Sequence, residues 1–324
     1  MARGTFELQP VLPFRLDLAV WTLRRRPGNI VDRWDGKTYR RLLPLTQGPV
    51  EVGVSQHGPP EAAVLQVFVV GRPLLAAVRV VVTSALERLL GLSIDLSEFY
   101  KFAAHHRRLS PLAHRFHGMK PPRFATVFEG VINAIACQQM TLTLGIRLLS
   151  DLAVAFGPAF DNGDETVYAF PRPVDLVGLN PPHLRRLGFS LQKGTAMIEL
   201  ARSITEGRLD LEHFADLSDD EAVKRLCELR GVGRWTAEYV LLRGLGRTHV
   251  FPADDVGARN NLRRWLGITK PLDYESIREQ LAPFGQYAGL VYFHLLLDRL
   301  SEAGELGAND STAKARKGTV LATD

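Results

Sequence analysis

Two short segments of the sequence carry residue types that could hold or transform a ligand. The first is Gly231-Val232-Gly233, which lies between a predicted helix at residues 218–229 and a second helix that begins at Arg234. Glycines in so tight a turn permit positive φ and leave no side chain between the backbone and a ligand. The peptide N–H groups at the start of the second helix then face outward together and favour an anion. This segment therefore predicts a grip on a phosphate group.

Two glycines can also form an ordinary tight turn between helices, with no ligand at all. Basic residues on both sides of the turn favour the phosphate interpretation. They are Arg230, Arg234, Arg243 and Arg247. Ser218 and Glu221 are predicted to form a capping box that starts the first helix of this hairpin.

The second segment is the acidic pair Asp254-Asp255, at the beginning of a predicted helix at residues 255–266. Most aspartates in such a place only cap the helix, because the carboxylate accepts from free backbone N–H groups. The same position keeps a carboxylate ionised, and a fixed negative charge stabilises a cation that develops beside it. The pair is therefore either a helix cap or the source of a catalytic carboxylate.

Composition limits the class of protein. The chain has 324 residues, a net charge of +5, a pI of about 9.3 and 46% hydrophobic residues. No apolar run reaches the length of a membrane span and none near the start resembles a signal peptide, so we expect a cytoplasmic protein. Two cysteines are too few for a disulfide framework or a four-cysteine cluster. Basic clusters at residues 24–41 and 101–123 are either solvated faces or part of a surface for a polyanion.

Hydrophobic patterns predict a mainly α fold with an α+β unit, an antiparallel sheet plus a helix, at the N-terminus. Alternating apolar residues at 14–20, 50–54 and 65–69 predict strands of that unit. Pro73 opens a predicted helix that stops at Gly91.

The predicted domains are the α+β unit at residues 1–95, a helical part at 96–300 and a disordered tail at 301–324. No convincing strand is predicted after about residue 97, and residues 158–182 are predicted to be a long surface connection. Helices of the second part are predicted at residues 124–136, 141–157, 182–187, 192–206, 218–229, 234–244, 255–266, 274–282 and 285–300.

The hairpin, the loop with Gly and Pro, and the Asp at this spacing resemble the helix-hairpin-helix DNA glycosylase superfamily. The segment Gly231–Tyr239 and the N-terminal unit are similar to its alkylpurine branch, the DNA-3-methyladenine glycosylases II. The resemblance implies a core of two helical subdomains with the active site in the cleft between them. It also implies that Asp255 is the catalytic carboxylate and that Asp254 is its helix-capping neighbour.

The implied reaction is hydrolysis of the N-glycosidic bond of an alkylated base, such as 3-methyladenine or 7-methylguanine, that has been flipped out of double-stranded DNA. An abasic site remains. Positive charge builds on the sugar during such a cleavage, and Asp255 would stabilise it. Bifunctional members carry a Lys where this chain has Trp235, and no Lys occurs from Gly231 to Thr269. We therefore predict a monofunctional enzyme that leaves the DNA strand intact.

The resemblance also assigns residues to the extruded base. The aromatic positions of the base pocket match Trp235, Tyr239, Phe284 and, from the N-terminal unit, Trp21. Their ring faces would attract cationic N3- and N7-alkylated purines, although ordinary core packing is the alternative for each. The chain departs from the branch at Phe284, where a Trp is usual, and at Val256, where an aromatic residue is frequent.

Gln139, in the loop Gln138–Thr141, matches the side chain that fills the hole left by the flipped base; the alternative is a polar turn between helices. The expected DNA-backbone contacts are Gly231, Val232, Gly233 and Arg234. The implied partner is double-stranded DNA with damaged bases, bound by a monomer near the nucleoid. No cofactor and no catalytic metal are expected, although the hairpin carbonyls could hold a structural Na⁺ or K⁺.

Two other functions fit part of the pattern. One is a glycosylase for oxidised, deaminated or mismatched bases. The other is a non-catalytic, damage-sensing protein that uses the hairpin alone to bind DNA. Asp255 separates the second alternative from an enzyme, because a binder needs no carboxylate that faces the sugar.

Overall fold

The structure is a computed structural model that describes residues 3–306. Of the tail predicted at residues 301–324, Ser301 and Glu302 belong to the last helix, and residues 307–324 lie outside the described residues.

The N-terminal unit is built on one antiparallel sheet. Its strands are β1 (Arg3–Leu8), β2 (Arg33–Trp34), β3 (Thr38–Leu45), β4 (Gly48–His57) and β5 (Val64–Val70). They lie in the order β1-β5-β4-β3-β2. The register sets Val54 of β4 opposite Val67 of β5, and both side chains are buried. The strands predicted at 50–54 and 65–69 are therefore confirmed, whereas β1 was not predicted.

The strand predicted at residues 14–20 is wrong, because this segment forms helix α1 (Leu16–Arg24). Its residues are buried on almost every side, including Leu16, Leu18 and Val20. A helix buried all round needs apolar residues at nearly every position. The apparent two-residue period therefore arose from small residues and single polar residues between large apolar ones, and not from a strand with one solvated face.

Helices make up most of the remaining chain. They are α2 (Ala76–Leu90), α3 (Ser97–Ala104), α4 (Leu109–Arg115), α5 (Val127–Cys137), α6 (Leu142–Phe156), α7 (Pro173–Leu176), α8 (Pro181–Arg186), α9 (Leu191–Thr205), α10 (Asp219–Cys227), α11 (Arg234–Arg243), α12 (Val256–Leu266), α13 (Tyr274–Leu281) and α14 (Ala288–Glu302). The predicted connection at 158–182 contains a β-hairpin of β6 (Ala159–Asp161) and β7 (Thr166–Tyr168), as well as α7. Three-residue strands are too short to show a period, so the sequence pattern missed them.

Two hydrophobic clusters meet at α11. One joins the sheet, α1 and α2 to α13 and α14, and it includes Tyr239 and Leu242. The other lies between α5, α6, α9 and α10, and it includes Ala237 and Val240. The first cluster crosses the domain boundary that the sequence predicts at residue 95, and that boundary stays a prediction. The mainly α fold with an N-terminal antiparallel sheet is confirmed.

Several side chains of the two basic clusters are buried, although most Lys and Arg residues of the second cluster are exposed. Arg24, Arg25 and Arg41 are buried, and the Arg41 guanidinium forms ion pairs with Asp32 and Glu129 that connect β3 to α5. Lys120 of the second cluster is also buried and donates to the Ile94 carbonyl at 2.6 Å, and burial lowers its pKa to about 8. These side chains are neither a solvated face nor a DNA surface.

None of the helices within residues 3–306 combines the length and the apolar character needed to cross a membrane.

Candidate active site

A cleft of about 1270 Å³ opens beside the starts of α11 and α12. It brings together four residues that the sequence predicts for the site, which are Gln139, Trp235, Tyr239 and Asp255. Gly233 of the hairpin also lines it. The wall is completed by residues from the end of α1, the α5–α6 loop and α14, among them Arg25, Arg26, Gln138, Tyr292 and Arg299.

The two glycines of the turn between α10 and α11 differ in the space around them. Gly231 adopts a φ of 76°, as expected, and a Cβ there would lie 3.0 Å from the Cβ of Ala196. Gly233 does not need positive φ, because its φ of −102° is ordinary extended backbone. A Cβ on Gly233 would meet nothing within 4 Å. Gly233 is the N-cap of α11 and supplies no capping side chain, so the first N–H groups of this helix are available to an anion.

Only part of the predicted basic flank faces outward. Arg230 and Arg234 are exposed, and the first pairs with Glu199 at 3.2 Å. Arg243 is fully buried and donates to the Thr22 carbonyl at 2.8 Å. Arg247 binds the Asp219 carboxylate and carbonyls near the start of α10. Arg243 and Arg247 therefore hold the fold together and are not part of a phosphate grip.

Ser218 caps α10, because its hydroxyl accepts from the Glu221 N–H at 3.3 Å. The Glu221 carboxylate is engaged by Arg225 at 2.7 Å, so the second half of the predicted capping box has a different partner.

Asp255, not Asp254, caps α12. Its carboxylate Oδ1 accepts from the Ala258 N–H at 2.9 Å, whereas Asp254 is exposed beside it. The expectation that Asp254 is the capping neighbour is therefore wrong. Asp255 is half-buried in the cleft wall. Burial raises the pKa of the Tyr292 hydroxyl, and the nearby negative charge of Asp255 raises it further.

Glu238 supports the loop that leads to Asp255, and the sequence did not single it out. Its carboxylate accepts from the Ala253 N–H at 3.2 Å and from the Tyr274 hydroxyl at 2.6 Å. Burial raises the pKa of Glu238. The residue lies on α11, so this pair of bonds ties the loop to the hairpin helix. In the sequence, Glu238 directly precedes Tyr239, which is a predicted pocket residue. No neighbouring residue indicates that Glu238 bonds to Ala253 and Tyr274.

Trp235 and Tyr239 lie on the cleft with ring centroids 5.9 Å apart. Trp235 is half-buried and Tyr239 is almost fully buried. The structure does not bring the other two predicted pocket residues to this cleft. Phe284 packs against His106 and Trp265, and Trp21 is in the core of α1 under Arg24.

The cleft has other aromatic residues in their place. Phe251 and Tyr292 line it, with ring centroids 5.9 Å apart. Val256, where the alkylpurine branch often has an aromatic residue, is exposed at the rim.

The loop that carries Gln139 is tied to the hairpin. Gln139 is exposed and adopts a φ of 54°. The Gln138 side chain donates to the Gly231 carbonyl at 2.8 Å and to the Thr236 hydroxyl at 3.0 Å. Lys193 donates to the Gln138 carbonyl at 2.6 Å. Gln139 is thus exposed to solvent at the cleft, next to Gln138, whose side chain and carbonyl are both bonded to neighbouring elements.

Among residues 3–306, no group of three or more His, Cys, Asp or Glu side chains could hold a metal ion. The carbonyls of Leu229 and Gly231 each accept one hydrogen bond, from the Val232 N–H and from Gln138. A carbonyl oxygen has two lone pairs, so this turn fits a hard monovalent cation such as Na⁺ or K⁺. That ion stays a prediction and would have a structural role only.

The helical part of the chain is similar to known proteins. The family model for HhH-GPD superfamily base excision DNA repair proteins matches residues 132–286. The chain is 32% identical over 171 residues to the DNA-3-methyladenine glycosylase 2 of Escherichia coli, which covers 53% of this chain and 58% of that protein. It is 27% identical over 201 residues to a DNA-3-methyladenine glycosylase of Bacillus subtilis, with 62% and 66% covered. The match spans less than two thirds of these curated relatives.

Solved structures extend the similarity to the N-terminal unit. A 3-methyladenine DNA glycosylase from Archaeoglobus fulgidus superposes with a TM-score of 0.78 and 27% identity over 90% of this chain and 97% of that one. An 8-oxoguanine glycosylase/lyase of Clostridium acetobutylicum, solved with double-stranded DNA, has a TM-score of 0.72 at 17% identity, over 93% and 98%; it shares the fold. The hairpin, Gln139 and Asp255 all lie within residues 132–286, and this chain carries a domain of the HhH-GPD superfamily of base excision DNA repair proteins.

Proposed function

We propose that this protein is a monofunctional DNA glycosylase that removes alkylated bases from double-stranded DNA and leaves an abasic site. The observation that carries the proposal is the cleft in which the Asp255 carboxylate, the Trp235 and Tyr239 rings and the open start of α11 meet. The names of the relatives in Escherichia coli, Bacillus subtilis and Archaeoglobus fulgidus support alkylated bases as the substrate class.

Each part of the cleft has a task in this reaction. The N–H groups that begin α11 hold a phosphate of the backbone. The flipped base stacks on Trp235, and Gln139 enters the space that the base has left. As the N-glycosidic bond breaks, its electron pair leaves with the base and the sugar becomes a cation. Asp255 stabilises that cation. A water oxygen then bonds to the sugar carbon and gives its proton to Asp255 or to solvent.

The lack of a lysine on the described part of the cleft wall supports hydrolysis without strand cleavage. No lysine occurs among the described residues that line the cleft, and Trp235 stands where bifunctional members carry one. Lys193, from the neighbouring helix, is engaged with the carbonyls of Ala136 and Gln138. A Schiff base with the sugar would need a free amine at the cleft.

The direct test is to incubate the protein with methylated, deaminated and oxidised duplexes and to identify the bases released. We expect methylated purines, intact strands with alkali-labile sites, and no covalent complex after borohydride reduction. Release of oxidised bases alone would replace alkylated bases as the substrate class. A trapped complex would contradict the monofunctional mechanism, and binding without any release would favour the damage-sensing alternative.

A further inference from the structure

Arg25 is a residue of the cleft wall to which the proposed reaction gives no task. It follows α1 and adopts a φ of 59°, and among residues 3–306 only Arg25 and Gln139 are non-glycine residues with positive φ. This conformation is unfavourable for a residue with a Cβ and persists where the surroundings hold it in place. Both residues line the same cleft. Gln139 is the proposed wedge, whereas Arg25 has no role in the proposed reaction.

The Arg25 side chain is a buried cation whose hydrogen-bond partners are neutral groups. It is only 4% exposed. Its Nη1 donates to the Tyr239 hydroxyl at 2.8 Å, and its Nη2 donates to the Asn133 side-chain oxygen at 2.6 Å. The ion pairs found within residues 3–306 do not include Arg25. Because a guanidinium stays protonated in proteins, the charge is permanent, and no carboxylate bonds to it.

Tyr239 connects this charge to the base pocket. Its hydroxyl accepts from Arg25, its ring centroid lies 5.8 Å from the Arg243 guanidinium, and the Trp235 ring is 5.9 Å away. A ring that already faces protein cations has less attraction left for a cationic base. A buried positive charge is screened less than a charge in water, so it repels a second positive charge nearby more strongly. A cationic base on Trp235 would meet this repulsion, and a neutral base of the same shape would not.

We propose that Arg25 is a specificity-determining residue, whose buried charge shifts excision away from cationic alkylated purines and towards neutral damaged bases. The inference rests on the proposed glycosylase function and adds a preference among the bases that the enzyme releases. Arg25 acts on the base, whereas Asp255 acts on the sugar, so both classes of base would react through the same carboxylate.

The test compares three variants of Arg25 with one matched control. Arg25→Met and Arg25→Gln remove the charge, and Arg25→Lys keeps it. Arg26→Met is the control, because Arg26 lines the same cleft but is half-exposed and donates to the Thr143 hydroxyl at 3.2 Å. Single-turnover excision is measured for cationic 7-methylguanine and for neutral hypoxanthine in the same duplex. The ratio of the two rates is taken within each variant, so that a loss of folded protein cancels.

We expect the ratio of 7-methylguanine to hypoxanthine excision to rise roughly tenfold in Arg25→Met and Arg25→Gln, because a weakly screened charge is removed. It should stay near the wild-type ratio in Arg25→Lys and in Arg26→Met. An unchanged ratio in both neutral variants would overturn the inference, and so would an equal rise in Arg26→Met. If the wild-type protein released neither base, the proposed function itself would fail, and the inference with it.

Discussion

Helices α11 and α12 follow each other in the chain and both begin at the cleft, but their first turns are filled in opposite ways. At α11 the N-cap is Gly233, and the space where its side chain would be is empty out to 4 Å. At α12 the N-cap is Asp255, whose carboxylate accepts from the Ala258 N–H at 2.9 Å. Each helix start carries the same partial positive charge. One start is open to an external anion, and the other contains its own.

Because of this difference, we expect the two helix starts to bind groups of opposite charge. An open start with exposed N–H groups suits a phosphate, which brings a negative charge from outside. A start that already holds a carboxylate has a net negative charge facing the cleft, and it suits a cation, such as a sugar that is losing its base. The two starts are coupled, because Glu238 of α11 accepts from the Ala253 N–H in the loop before α12.

The largest effect is expected from Asp255→Asn, which keeps the cap but removes its charge. The amide oxygen can still accept from the Ala258 N–H, so the melting temperature should change little. The rate of 3-methyladenine release under single turnover should fall on the order of a hundredfold or more, because the sugar cation loses its stabilising charge. Asp254→Asn is the control and should stay within about twofold, since Asp254 is exposed and does not cap α12. Near-normal turnover of Asp255→Asn would contradict the role of this helix start, and an inactive Asp254→Asn would assign the catalytic charge to Asp254.

Trp235→Ala separates the side-chain task of the α11 start from its backbone task. The N–H groups stay in place, but the stacking surface for the base is lost. Because stacking of a base on an aromatic ring contributes about 2 kcal/mol, excision of methylated bases should fall roughly thirtyfold. Affinity for a duplex with an abasic-site analogue, measured by fluorescence anisotropy, should change much less. Equal losses in the two assays would indicate damaged packing and not a lost stacking surface.

Gly233→Asp converts the open start of α11 into one like that of α12. The extended backbone and the empty space at Gly233 allow the substitution without strain, and the new carboxylate would cap the helix and repel phosphate. We expect the affinity for DNA of any sequence to fall roughly tenfold, with a smaller dependence on salt. Gly233→Ser, which caps without a charge, should lie between wild type and Gly233→Asp. An unaltered salt titration in Gly233→Asp would remove the hairpin from the DNA contact.

Glu238→Ala tests the connection between the two starts and should have the smallest effect. The loop before Asp255 would lose its bond at the Ala253 N–H, so the carboxylate would be held less firmly. We expect kcat to fall about fivefold, with KM and abasic-site binding nearly unchanged. Glu238→Gln should recover most of the rate, because an amide oxygen can still accept from the Ala253 N–H. A failure of Gln to rescue, with both variants folded, would point to a need for the charge of Glu238 and not for its position.

Much of this site could be predicted because its signals are local. A helix N-cap and a glycine turn depend on hydrogen bonds between residues three or four positions apart, such as Asp255 to Ala258 and Ser218 to Glu221. The residue types at those positions determine the hydrogen bonds almost irrespective of the rest of the chain. The hairpin, the start of α12 and the limits of most helices were therefore visible in the sequence alone. Which aspartate of the pair is the cap was not, because either side chain satisfies the same preference.

The tertiary structure decided what faces the cleft. Arg25 reaches Tyr239 from 214 positions away in the chain, and Glu238 reaches Tyr274 across 36. Trp21 and Phe284 have the residue type expected of a base pocket, yet the packing of α1 and of the turn before α14 directs them into the core. Apolar and aromatic side chains have no directional partner of their own, so their positions are set by whichever surfaces the whole fold brings together. The sequence by itself determined where the two helix starts are and what their backbone can hold, and the packing around them determined which side chains complete the site.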